Sequence, residues 1–248
     1  MATEISNRGL AAVAGALDEL TTEALALVRR IRELATGRLD VDRPRLRADL
    51  APVGELVIPE LSQTGALVQG AGVVLEHDVL SDAEWWLEWF ALGSDGRAQR
   101  LSVQTDPGGV SSYEYEHLPW FAVPRETGRH HATGPYVDYL CTEDYTLTFT
   151  EPVLVGSSFL GVAGADVSVA ELERRLLPTL RAADDRIAVV NAHGRILASN
   201  RGRDICGELI ENLPALSAHW EHPEPDPAVL VGVSDLPLAA VALDRLAG

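Results

Sequence analysis

The chain has 248 residues, 46% of them hydrophobic, which is enough to bury a sizeable core and too apolar for a disordered chain. Its formal charge of -17, from 37 acids against 20 bases, would repel a phosphate backbone and disfavours nucleic acid as a partner. Every Lys/Arg base is arginine, a habit ascribed to GC-rich coding and given no functional weight.

The opening MATEISNRGLAAVAGALDEL carries acids and lacks the basic-then-apolar order of a secretory signal. No later run reaches the roughly 18 apolar residues of a spanning helix. Cys141 and Cys206 lie far apart and read as reduced thiols, so the expectation is a cytoplasmic protein without a membrane partner. Apolar residues at Leu10, Val13, Leu17, Leu20, Ala24, Leu27, Ile31 and Leu34 alternate steps of three and four, which predicts one long helix ending near Gly37. That stripe can pack on a sheet of its own chain or serve as the seam of a homodimer. Residues 1–66 are expected to be a helical segment, the long helix followed by a shorter one.

From Gly70 the pattern turns to short strands: GVVLEH, then EWWLEWFAL and AQRLSVQT joined through Gly93-Ser94-Asp95-Gly96. Alternation places Trp85 and Trp89 on one side of such a strand and Trp86 on the other. TLTFTEPVLV and SFLGVAGADV form a hairpin through Gly156-Ser157, and Ser168-Val169-Ala170-Glu171 then opens a helix as a capping box. Residues 67–184 thus make one module, and RIAVVN, RILASN, AVLVGV and LAAVAL make a smaller one over 185–248. Gly70-Ala71-Gly72 runs into a strand without the third glycine and helix of a dinucleotide fingerprint. Nothing asks for a cofactor.

Histidines 130 and 131 point to opposite faces if extended, and His219 and His222 lie in a Pro-rich stretch without a third ligand, so no metal site is assigned. No nucleophile elbow frames a serine, and Cys141 has no neighbour to lower its pKa. The chain reads as a non-enzyme.

The chemistry gathers in YEYEHLPWF and GPYVDY, where aromatic faces and carboxylates lie close together. Carboxylates and ring quadrupoles are together a good host for an ammonium group, a desolvated cation–π contact alone contributing ~2 kcal/mol. With TGPYVDY and FLGVAGADVSV, the run from Tyr113 to Asp166 resembles the ligand-binding module of Cache sensor domains, the PAS-like sensors of bacterial receptors. The resemblance implies an α+β fold: a long N-terminal helix, a PAS-like antiparallel-sheet Cache module and a smaller second α/β module, membrane-proximal-like in position. In the amino-acid-binding branch the pocket pattern runs Tyr, Arg, Trp, Tyr-x-Asp and a last Asp closing a G-V-x-G-x-D strand.

Tyr113, Trp120, Tyr136, Asp138 and Asp166 match that order, Phe121 stands where the family has a second aromatic, and Leu118 occupies the Arg position. That Arg clamps the ligand's α-carboxylate while the acids hold its amine. The resemblance therefore implies a sensor or binding protein for a small cationic amine: a biogenic amine, a polyamine or a quaternary ammonium compound. Two alternatives stay open: an amino-acid sensor with Arg125 or Arg129 as substitute clamp, or an enzyme acting on amines with Asp138 or Asp166 as base. Asp166 can also cap the helix that follows it. Pairing through the first helix and an unidentified downstream regulator or transporter complete the expectation.

Overall fold

The structure, a computed structural model, describes residues 2–63, 65–93, 95–101, 115–137, 145–222 and 224–246. Helix α1 (Ala2–Leu39) passes through Gly37 and stops at Leu39, whose carbonyl accepts from Arg45 Nε at 2.8 Å. That guanidinium satisfies one of the acceptors every helix end leaves over, so the terminus lies where the partner is rather than at the glycine.

The stripe of α1 is core of its own chain. Leu10, Val13, Leu17, Ala24 and Ile31 have no exposed surface, and Leu20 and Leu27 are buried with them. The stripe is long because α1 lies along two sheets in succession, so its length does not call for a second chain. Near its start a methyl at Gly9 would stand 3.1 Å from Ala183 Cβ, so the glycine lets the helix approach the connection that follows α4 closely. Helix α2 (Pro52–Leu61) buries Val53, Val57 and Leu61 at helical spacing, with proline at its first turn where a missing N–H costs nothing.

The first sheet is antiparallel and six-stranded. Its strands are β1 (Val68–Leu75), β2 (Leu87–Leu92), β3 (Ala98–Arg100), β4 (His131–Val137), β5 (Tyr145–Val155) and β6 (Ser158–Ser168), in the spatial order β3-β2-β1-β6-β5-β4. The β5–β6 hairpin turns at Gly156, whose φ of 59° suits glycine. β2 starts at Leu87, so Trp85 and Trp86 precede the strand that EWWLEWFAL suggested. The sorting of the tryptophans nonetheless holds. Trp85 and Trp89 belong to one aromatic cluster, and Trp86 lies apart with Arg47 and Arg100 over its ring at 5.1 and 4.5 Å.

Ser168 ends β6 and caps helix α4 (Val169–Arg181), its Oγ accepting from Glu171 N at 3.2 Å. Glu171 is in turn hydrogen-bonded by Arg174 and Arg175, which hold its carboxyl at about 2, well below the usual range. The second sheet contains β7 (Ile187–Asn191), β8 (Ile196–Ser199), β9 (Leu230–Gly232) and β10 (Leu238–Ala242) in the order β8-β7-β10-β9. Helix α5 (Leu213–Glu221) seals one side through Leu216, which places His219 in a helix and not in the Pro-rich loop. Among the described residues no helix is long and apolar enough to cross a membrane.

Candidate functional site

Alternate residues of the six-stranded sheet face opposite ways, and only one face meets α1. Toward α1 point Ala71 and Val73, Leu147 and Phe149, Ala163, Ala165 and Val167. The other face carries Gly70, Gly72 and Val74 on β1, Thr146, Thr148 and Thr150 on β5, and Val162, Gly164 and Asp166 on β6. Register aligns them in rows, Gly70 beside Asp166 beside Thr148, and Gly72 beside Gly164 beside Thr150. The glycines leave a floor without side chains, and Trp89 lies across it. A methyl at Gly164 would stand 3.1 Å from the far edge of the Trp89 ring, and one at Gly70 would stand 3.1 Å from both Trp89 Nε1 and Asp166 Oδ2. The indole N–H edge and the carboxylate therefore meet over Gly70.

Asp166 is 8% exposed, and its Oδ1 accepts from Thr148 Oγ1 at 2.6 Å. The Thr148 hydroxyl also shares a short hydrogen bond with the Tyr136 hydroxyl, so β4, β5 and β6 are joined by one polar chain ending on the acid. The cap of α4 is Ser168, two residues on, and the Thr148 bond of Asp166 runs across the sheet. A carboxylate removed from water needs such donors, since burying it unpaired is strongly unfavourable.

Helix α3 (Pro119–Thr127) covers this face. Leu118 is its extended N-cap residue and is half-buried against the aromatic cluster, with Pro119 opening the first turn. Thr150 Oγ1 donates to the Trp120 carbonyl at 2.8 Å and ties the helix to the floor. Trp120 packs on Tyr115 and Phe121 at ring distances of 6.0 and 5.9 Å, and Phe121 meets Tyr115 and Phe159 at 5.2 and 5.5 Å. Phe121 has no exposed surface and acts as the support of the wall. Tyr115 is equally buried; its hydroxyl donates to the Leu75 carbonyl at 2.6 Å, and burial pushes its pKa well above that of an ordinary tyrosine, with Glu116 adding to the shift.

Of the residues marked from sequence, the structure brings Trp120, Phe121, Leu118, Tyr136 and Asp166 to this one face. Tyr113 and Asp138 lie outside the described residues. Arg125 lies over the Phe121 ring at 5.7 Å and donates to the Glu116 carbonyl at 3.2 Å and to Glu76 at 3.5 Å, and Arg129 stands 3.8 Å from Asp235. Neither segment 102–114 nor segment 138–144 contains an arginine or lysine in its sequence. Sequence reasoning missed Thr148, Thr150 and Trp89 as members of this face. The signal was present in the period-two run Thr146, Thr148, Thr150, three hydroxyls on one side of a strand whose other side is Leu147 and Phe149.

No protein-family model matches the chain, and no curated protein matches it. Solved structures do. A methyl-accepting chemotaxis protein superposes with a TM-score of 0.61 at 16% identity, over 97% of this chain and 94% of its own. The amino acid chemoreceptor PctC of Pseudomonas aeruginosa PAO1, in complex with GABA, gives 0.57 at 17% identity over 95% and 96% of the two chains. The chemoreceptor Tlp3 of Campylobacter jejuni with L-valine gives 0.61 at 10% identity over 100% and 95%. The extracellular domain of a candidate histidine kinase gives 0.63 at 15% identity over 96% and 92%. The cytoplasmic expectation is corrected by these matches, because the kinase domains that share the fold are extracellular. The chain has the α+β fold of the ligand-binding sensor domains of chemoreceptors and histidine kinases, the Cache-like architecture its sequence resembles.

Proposed function

We propose that the chain is a non-catalytic sensor domain that binds a small cationic amine over Gly70, between the Asp166 carboxylate and the aromatic wall of Trp89 and Trp120. The observation that carries this is the meeting of a nearly buried carboxylate with the edge of an aromatic cluster above a floor of glycines, where an ammonium group gains the carboxylate's charge. Leu118, standing where the related pattern has its arginine, gives a carboxylate nothing to bind, and Arg125 and Arg129 are already paired with Glu116, Glu76 and Asp235. An amino acid clamped by a substitute arginine is therefore the weaker alternative. An enzyme acting on such amines, with Asp138 or Asp166 as base, is the other alternative, and the Thr148 hydroxyl already occupies Oδ1 of Asp166. Tyr113 and Asp138 enter the pocket through the resemblance alone.

In this reading residues 67–184 hold the ligand, residues 185–248 form the smaller module, and 1–66 supply the helix that spans both. Pairing of two chains along α1 would have to use its polar side, where Arg30 and Glu33 stand, and light scattering at twice the 26.7 kDa chain mass tests it. For the ligand, thermal shift against a panel of amines is the direct experiment. A stabilising amine recovered unchanged after long incubation supports a sensor. Its conversion, or the absence of any stabilising amine alongside a stabilising amino acid, overturns the proposal.

A further inference from the structure

A cavity of ≈ 260 Å³ lies where the two sheets meet, at the β4 edge of the face that carries the glycine floor. It is bounded by β4, the start of α3 and the turn between β7 and β8, and its lining includes His131, Thr133, Tyr136, His193 and Arg195. In a chain of net charge -17, the described residues of this lining include two histidines and an arginine and no carboxylate. The Thr133 hydroxyl is shielded from solvent and has no hydrogen-bond partner. A buried polar group without a partner costs on the order of 1–3 kcal/mol, so a ligand acceptor there would recover a cost the fold now bears.

The turn is built to hold its position. Asn191 donates to the Gly134 carbonyl at 2.6 Å, and its own side-chain oxygen accepts from His193 N at 3.0 Å and Arg195 N at 2.9 Å. One side chain thereby docks the second sheet on β4 and fixes the loop that carries the two basic groups. Arg195 gives one N–H to the Gly207 carbonyl at 2.7 Å, and a guanidinium has five. From the remaining walls come only Pro119 and Pro237, which bring no charge.

We propose that this junction binds a small oxyanion, a carboxylate or phosphate group, between His131, His193, Arg195 and the Thr133 hydroxyl, and that the bound anion bridges the two sheets. The titratable neighbours agree with such a site. His131 has its pKa lowered by burial first and then by His130 and His193, so in the free protein it sheds its proton more readily than an ordinary histidine. A bound anion reverses that balance by favouring the imidazolium. By linkage the affinity rises as the pH falls through the His131 titration and weakens above it.

The test follows the His131 ring proton by NMR across a pH series, with the full chain, at constant ionic strength set by chloride. Millimolar inorganic phosphate is added in one arm and acetate in the other. The expected result is an upward shift of the His131 titration by about one unit, which corresponds to about tenfold tighter binding to the protonated form. The shift should vanish when His193→Ala and Arg195→Ala are combined, both at exposed positions that leave the fold intact. Thr133→Val, which keeps every charge, should weaken binding several-fold. A response to phosphate alone identifies a phosphate-type ligand, a response to acetate alone a carboxylate, and a response to both a site that accepts either oxyanion. A shift of the same size in the double variant, or none with either anion, overturns the site.

Discussion

The two faces of the six-stranded sheet are made by alternate residues of the same strands, and each buries an acid. On the α1 side Glu151 is held by two arginines, Arg29 Nε at 3.1 Å and Arg32 Nη1 at 2.8 Å, the second an ionic contact without hydrogen-bond alignment. Aliphatic residues and Phe149 pack beside it against the helix, and a cavity of ≈ 810 Å³ lined by Arg29, Arg32 and Glu151 opens between α1 and the end of β5. On the α3 side Asp166 is met by the Thr148 hydroxyl, above glycines and beside indoles. One acid is neutralised by its own chain, as in any buried structural pair. The other is bonded by a hydroxyl of the neighbouring strand, in the surroundings proposed for an ammonium group. The difference separates a face whose acid is held by arginines of α1 from the face proposed to receive a ligand.

The largest effect expected from this contrast is on stability. Phe149→Ala, at a position with no exposed surface, should cost ~3–5 kcal/mol, measured by urea denaturation, and leave amine affinity of the folded protein unchanged. A loss of affinity in excess of the loss of stability would show that the faces are not independent.

Selectivity comes next. A ligand carboxylate set against Leu118 loses water without gaining a donor, at a cost of ~2 kcal/mol or more. Amines should therefore bind better than their parent amino acids, histamine over histidine and putrescine over ornithine, in competition calorimetry. Leu118→Arg should move the preference toward the acid by restoring a bidentate clamp. Wild-type preference for the amino acid in each pair would mean that another donor has taken the clamp.

Asp166→Ala should weaken amine binding by ~2 kcal/mol, the worth of a charge-assisted hydrogen bond, with the cooperative unfolding transition retained. Thr148→Val, which removes the donor and leaves the acid, should cost ~1 kcal/mol of affinity. An unchanged affinity in Asp166→Ala would place the ligand elsewhere.

How far these faces could be read in advance depends on whether the signal is local. The β5–β6 hairpin, the Ser168 cap and the α1 stripe are local patterns, and each is found where the sequence puts it. What buries the stripe is not local. Leu10 to Ile31 record that one side is covered but not by what, and only the tertiary fold shows α1 lying along two sheets. Tyr136 and Asp166 were visible as a spaced pattern. The hydroxyl that joins them is Thr148, an unremarked residue whose role depends on the register of β4, β5 and β6. Phe121 shows the reverse limit, since an aromatic beside a pocket can be a wall or the support of one, and sequence spacing does not distinguish the two. The compartment was misjudged because an unremarkable N-terminus says nothing about which sensor domains share the fold.

The smallest effects, and the sharpest separation of the faces, come from two adjacent residues. Gly70 and Ala71 point to opposite sides of β1, Gly70 beside Asp166 and Ala71 into the α1 core. The methyl of Gly70→Ala would arrive 3.1 Å from Asp166 Oδ2 and 3.1 Å from Trp89 Nε1. The carboxylate and the indole must then part by a few tenths of an ångström, and overpacking of this kind costs ~1 kcal/mol. Since the atoms displaced are those proposed to meet the ligand, the cost should fall on affinity, with stability close to wild type. Ala71→Gly removes a fully buried methyl and loosens the strand, which should cost ~1 kcal/mol of stability. Its effect on amine binding should be negligible, because nothing on the α3 side moves. Calorimetry and denaturation on both variants would therefore show two small effects of similar size, in opposite columns. If Gly70→Ala leaves affinity intact while Ala71→Gly lowers it, the ligand lies on the other side of the sheet and the glycine floor is only packing.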